Sequence, residues 1–185
     1  THFSDLCTWF LDATPQRVTA LGDGMLNHGI TIEYETGEIA TITMTANGTF
    51  GYAKELYEVF GQGAAVIVDQ MVEVRTAGID GAPSRLTFPL ADDAAAEAVA
   101  AEGIAGFLAK RQYLAEQSAA RGEALPVAAV EADKGHAHAL DCFIDAVLGG
   151  DSPICDINGA ALATRVAFAA IRAIEERRVV DLSEI

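Results

Sequence analysis

Alternation of apolar and polar residues runs through the first half of the chain. ITIEYE (30–35) puts Ile30, Ile32 and Tyr34 on one side and Thr31, Glu33 and Glu35 on the other, and IATITMTA (39–46) repeats the pattern after a TGE turn. Two such runs across a tight turn predict an antiparallel hairpin whose apolar positions share a face. RVTALG (17–22) precedes the pair, and KELYEVFG (54–61), AAVIVD (64–69), MVEVRTAG (71–78) and SRLTFPL (84–90) follow it. Residues 17–90 therefore predict a meander of consecutive strands. GDGMLNHG (22–29) reads as a Gly/Asn loop, with His28 as a solvated turn residue.

Helical spacing replaces alternation at both ends. In HFSDLCTWFL (2–11), Phe3, Leu6, Cys7 and Phe10 recur as an apolar stripe, with His2, Asp5, Trp9 and Asp12 on an adjoining face, until Thr14-Pro15 breaks the pattern. Residues 91–125 are rich in alanine, the strongest helix former, and Ile104, Phe107, Leu108, Arg111, Leu114 and Ala115 mark one face. Gly103 and Gly106 suggest a break there, giving two short helices or one weak long one, and Pro126 closes the segment. A further helix is predicted over 134–150, with Leu140, Phe143, Ile144 and Val147 apolar and Gly149-Gly150 as the stop. Another spans 158–178, capped by Asn158, and VVDL (179–182) adds a last short strand. A helix, then a strand meander, then helices, without βαβ alternation, defines an α+β chain: an open, mainly antiparallel sheet with helices packed on one face.

Composition narrows the function. A chain of 185 residues, half of them hydrophobic, suffices for one domain with a real core, expected here as a single domain over 1–185. Its 27 Asp and Glu against 12 Lys and Arg, a net charge of −15, repel phosphate backbones and anionic headgroups, so neither nucleic acid nor a membrane surface is expected as a partner. Cys7, Cys142 and Cys155 are widely spaced, without a CxxC pair, and read as reduced thiols of a cytoplasmic protein.

Gly61-x-Gly63 follows a strand, which invites a dinucleotide-binding interpretation. That fingerprint needs a third glycine and a helix opening at once, whereas this chain has Val66 and the strand-forming AAVIVD. A hairpin turn accounts for it better. His136 and His138, two positions apart, face different directions on a helix and do not share a metal, so no metal site is expected.

Taken in order, these segments resemble the C-terminal domain of the Gfo/Idh/MocA oxidoreductases, the family of glucose–fructose oxidoreductase and inositol dehydrogenase. HFSDLCTWFL (2–11) resembles the helix carrying that family's H-x-x-D element, and ITIEYETGEIATITMTANG (30–48) resembles its strand–turn–strand core. KELYEVFGQGAAVIVD (54–69) resembles its next hairpin, and KGHAHALDCFIDAVLGGDSP (134–153) with the helix ending ERRVVDL resembles its closing helices. The resemblance implies that a Rossmann domain precedes this stretch, making Thr1 an internal boundary. NAD or NADP would be bound mainly by that preceding domain, with no cofactor expected on residues 1–185.

The implied activity is hydride transfer between the nicotinamide and a small-molecule substrate: a sugar, polyol or related hydroxy compound. His2 matches the family's catalytic histidine, whose near-neutral pKa suits it to move a hydroxyl proton in either direction. Asp5, one turn on, would bind substrate through a hydroxyl, orient the imidazole, or simply belong to the helix. The family's aspartate four residues before the histidine, and its lysine, fall upstream of Thr1. The resemblance further implies a homodimer or homotetramer through the sheet face, and residues 91–125 read as a helical insertion. Two other classes stand beside the enzyme: a non-catalytic dimerisation or ligand-binding module of the same fold, and an unrelated free-standing α+β domain. In the first of these the fold would serve only to assemble or to hold a ligand.

Overall fold

The computed structural model describes residues 1–49, 52–88, 102–124, 135–151 and 155–185. Alternation became strands as expected: β1 (Pro15–Gly22), β2 (Asn27–Tyr34), β3 (Ile39–Thr45), β4 (Leu56–Gly61), β5 (Ala64–Asp69), β6 (Glu73–Ala77), β7 (Arg85–Thr87) and a two-residue β8 (Val180–Asp181). The helices are α1 (His2–Leu11), α2 (Ile104–Arg121), α3 (His136–Val147) and α4 (Ile157–Glu176), followed by a 3₁₀ turn, Leu182–Glu184. The class is α+β, and every described strand pairing is antiparallel. The strands divide between two four-stranded sheets, ordered β3-β2-β1-β8 and β4-β5-β6-β7. They fall in two compact units, residues 1–47 with 142–185 and residues 48–141. Pro126 and residues 91–101 of the alanine-rich stretch lie outside the described residues.

In the first unit β2 and β3 form the expected hairpin, Ile30 opposite Ile42 and Ile32 opposite Ala40. Ile32 and Tyr34 are buried together with Val18 and Ala20 of β1, while Ile30, Ala40 and Ile42 pack at the margin of the same cluster. The cover over this face is α4, which lays Ala163, Val166, Ala169, Ala170 and Ala173 on it. Small side chains bring the helix close, so the core is made as much of backbone proximity as of large residues. On composition alone α4, with 20 residues, is long and apolar enough to cross a membrane. Here its alanine side is part of this core.

The opposite face of the sheet aligns Thr19, Thr31 and Thr41 across three strands, the Thr31 and Thr41 hydroxyls 3.5 Å apart. Beside them runs an Arg17–Glu33 ion pair.

Local expectations needed three corrections. His28 is not a loop residue: β2 begins at Asn27, and His28 pairs with Gly22 and Met44. The turn is shorter because Asp23 Oδ1 accepts from the backbone N–H of Met25, Leu26 and Asn27, closing the loop within four residues of Asp23. Those bonds hold the Asp23 carboxyl well below the usual carboxylate range. The buried side of α1 is Ser4, with Cys7 and Leu11 against the core, whereas Phe10 is exposed. A serine fits where α1 meets the alanine surface of α4, and its Oγ donates to the Ala163 carbonyl at 3.2 Å. The cap of α4 is Asp156, not Asn158: its Oδ1 accepts from the Asn158 and Gly159 N–H groups. Of the two arrangements expected for the alanine-rich stretch, the described residues show a helix start at Gly103, the N-cap of α2, and one continuous helix over Ile104–Arg121 with Gly106 buried inside it.

In the second unit, Val72 and Phe107 are buried against Met71, Ile104 and Leu108. Glu73, itself buried, receives Arg85 Nε at 2.8 Å and the Ile104 N–H at 3.2 Å, so a strand carboxylate satisfies the first turn of α2. Gly103 has φ +62°, and a side chain there would meet both Arg85 and Glu73.

The C-terminus is tied down by charge. Arg178 makes two hydrogen bonds to Glu184, which also accepts from the Asp181 N–H. Arg178 foremost, then that backbone bond, holds the Glu184 carboxyl down to about 2. A lowered folded-state value stabilises fully above the unfolded pKa, near 4.5, and the contribution disappears as pH falls toward about 2. Glu184→Gln is therefore expected to be less stable than wild type to urea at about pH 6, with the two converging near about pH 2. An equal gap at both ends of the titration would overturn the assignment.

Candidate functional site

His2 and Asp5 occupy the first turns of α1, His2 exposed and Asp5 partly buried. Thr1 fills the N-cap position without a side-chain cap, while its carbonyl accepts from the Asp5 N–H at 3.0 Å and the Ser4 hydroxyl at 2.7 Å. The imidazole of His2 lies tilted against the Phe3 ring, centroids 5.3 Å apart. Among the described residues no hydrogen bond joins His2 to Asp5.

Asp5 points instead toward the start of α4. The Cys155 thiol donates to Asp5 Oδ1 at 3.5 Å, across 150 residues of sequence. Burial foremost, and then the Asp5 carboxylate, pushes the Cys155 thiol up, so it remains a protonated donor at neutral pH. Nothing in the spacing of apolar residues marked Cys155 as a neighbour of Asp5. The one available signal was that HFSDL and the stretch before the last long helix both lie at helix starts.

On the other flank of α1 lies a small cleft of about 60 Å³, lined by Phe3, Ser4, Ile30, Ile42, Met44 and Val166 among others. That volume holds a water or two and is far too small for a sugar.

His136 and His138 are both exposed near the start of α3, and among the described residues no group of three or more His, Cys, Asp or Glu side chains is arranged to hold a metal ion. Gly61 and Gly63 flank the β4–β5 turn, Gly61 pairing with Ala64, with Gln62 and Gly63 both at positive φ. That is a two-residue hairpin turn, and it does not fit the phosphates of a dinucleotide, which need glycines opening a helix.

The antiparallel α+β fold is shared with solved oxidoreductases and dehydrogenases. A probable dehydrogenase from Thermotoga maritima matches all of this chain over 48% of its own, at 18% identity and a TM-score of 0.58. An NAD-binding oxidoreductase from Klebsiella pneumoniae matches 96% of the chain over 48% of its own (15% identity, TM-score 0.57). The WlbA dehydrogenase of Bordetella pertussis, solved with NADH and UDP-GlcNAcA, matches 97% over 45% of its own (15%, TM-score 0.54). The chain thus spans about half the length of the solved proteins it matches, and what it shares with them is the fold. No family model matches the chain, and no curated protein matches it in sequence.

Proposed function

We propose that residues 1–185 are the substrate-binding and oligomerisation part of a larger NAD(P)-dependent oxidoreductase of the Gfo/Idh/MocA type, acting on a sugar, polyol or related hydroxy compound. The observation that carries this is the match itself: nearly the whole chain aligns with about half of several dehydrogenases, with TM-scores of 0.54–0.58 in those described above. In this reading the nicotinamide cofactor belongs to the other half, because the Gly61–Gly63 turn here is no phosphate cradle. His2 contributes the proton chemistry. As a carbinol carbon loses hydride, the neutral imidazole takes the proton from its hydroxyl oxygen, leaving a carbonyl and an imidazolium; in the reverse direction the imidazolium returns it. Exposure of His2 at the start of α1 suits a group that must meet a substrate. The threonine-lined face of the first sheet offers the surface for a second copy, since α1 and α4 cover the other face.

The test is the complete gene product. It is expected to reduce NAD⁺ or NADP⁺ with a member of a panel of free sugars, polyols and nucleotide sugars, and to run as a dimer or tetramer in light scattering. A complete protein that neither binds a nicotinamide cofactor in calorimetry nor oxidises any of the panel would refute the proposal and favour a non-catalytic assembly or ligand-binding module.

A further inference from the structure

The carboxylate of Asp5 is held from outside its own helix. Asp156 occupies the Asn158 and Gly159 N–H groups at the start of α4, so those two are not the donors for Asp5. The Cys155 thiol lies at 3.5 Å to donate to it instead, with the Asp156 carbonyl, at 3.6 Å, as the other acceptor in reach of its one hydrogen. Among the described residues no other group hydrogen-bonds the Asp5 carboxylate, so Oδ1 is engaged and Oδ2 is free to accept.

Two further features fix this contact. Ser4, the residue before Asp5, ties α1 to α4 through the Ala163 carbonyl at 3.2 Å, which sets the spacing of the two helices. Gly159 keeps the gap open: a Cβ there would lie 3.2 Å from Cys155 Sγ, 3.6 Å from Asp156 Oδ1 and 4.0 Å from Asp5 Oδ1. The positive end of α4 also favours the charged carboxylate beside it.

We propose that Cys155 is a positioning residue, whose thiol fixes one oxygen of Asp5 so that the other is presented, one helical turn from His2, to a substrate hydroxyl. The inference rests on the oxidoreductase reading of His2 and Asp5. It assigns a role to a cysteine 150 residues away from the helix it serves.

The test uses Asp5→Asn, Cys155→Ala and Cys155→Ser in the complete protein. Cys155 is exposed, so iodoacetamide reaches it, and its peptide can be followed by mass spectrometry. Asp5→Asn removes the negative charge that suppresses thiolate formation and is expected to speed alkylation of Cys155 several-fold at about pH 8. In kinetics, Cys155→Ala is expected to raise KM roughly three- to tenfold, the scale of one lost hydrogen bond, and to affect kcat less. Cys155→Ser, which keeps a donor, should recover most of that loss. Alkylation indifferent to Asp5, or a serine variant no better than alanine, in a protein that still turns over substrate, would overturn the positioning role alone. Asp5-dependent alkylation in a protein inactive on every hydroxy compound would overturn the enzymatic reading, and the positioning role with it.

Discussion

Replacing His2 with alanine in the complete protein is expected to lower kcat by roughly 10²–10⁴-fold, the range for losing a general acid–base group, while cofactor binding stays close to wild type. The imidazole acts on a proton that moves only in the transition state, so the loss belongs to the chemical step rather than to affinity. Because His2 is exposed at the first position of α1, its removal leaves the core of the first unit untouched, and folding should not confound the measurement. Steady-state kinetics beside cofactor calorimetry separates the two quantities. Full activity in His2→Ala would make the histidine ordinary helix surface and sink the proposed chemistry.

The second large effect concerns stability, and one strand carries both the test and its control. Ile32 is fully buried on the helix-covered face of β2. Ile32→Ala is expected to cost about 2–5 kcal/mol, the lost transfer energy plus that of a cavity the alanine-backed α4 cannot collapse into. Thr31, its immediate neighbour, points the other way, toward Thr19 and Thr41. Thr31→Ala should change stability by only about 0.5 kcal/mol or less. Urea titration of both variants checks the register directly. Equal losses would mean that the faces of β2 have been assigned wrongly, since a slip of one residue exchanges every side chain between them.

Strands proved legible because period-two alternation is a local property, and β2 and β3 lie where Ile30, Ile32 and Tyr34 predict. Val180–Asp181 likewise pairs with β1 as the VVDL run suggests. What misled were positions whose surroundings come from elsewhere in the chain. Ser4 is polar and has no place in the apolar stripe expected of α1, yet it is buried, where α4 offers it a carbonyl. His28 sits among Gly and Asn, residues of weak strand propensity, and only the Asp23 loop closure and pairing with Met44 make it strand. His2 and Asp5 are candidates through family resemblance and helical spacing. Cys155 is not, because no sequence pattern reports a contact between a residue of the first helix and one preceding the last.

The apolar stripe of α3 was also legible, as Leu140, Phe143, Ile144 and Val147, but all four are exposed. Pattern recognises a face that wants cover without saying where the cover is.

The alanine surface of α4 constrains how this family of shapes can drift. Ala169 and Ala173 are completely shut off from solvent, and Val18 and Ile32 of the sheet are equally so. With that volume filled, a larger residue on the helix is tolerated only when a strand residue shrinks. Related chains should therefore exchange bulk between these two layers in compensated pairs rather than by independent steps. The freer positions for evolutionary change are on the other side of α4, at Phe168 and Ile171.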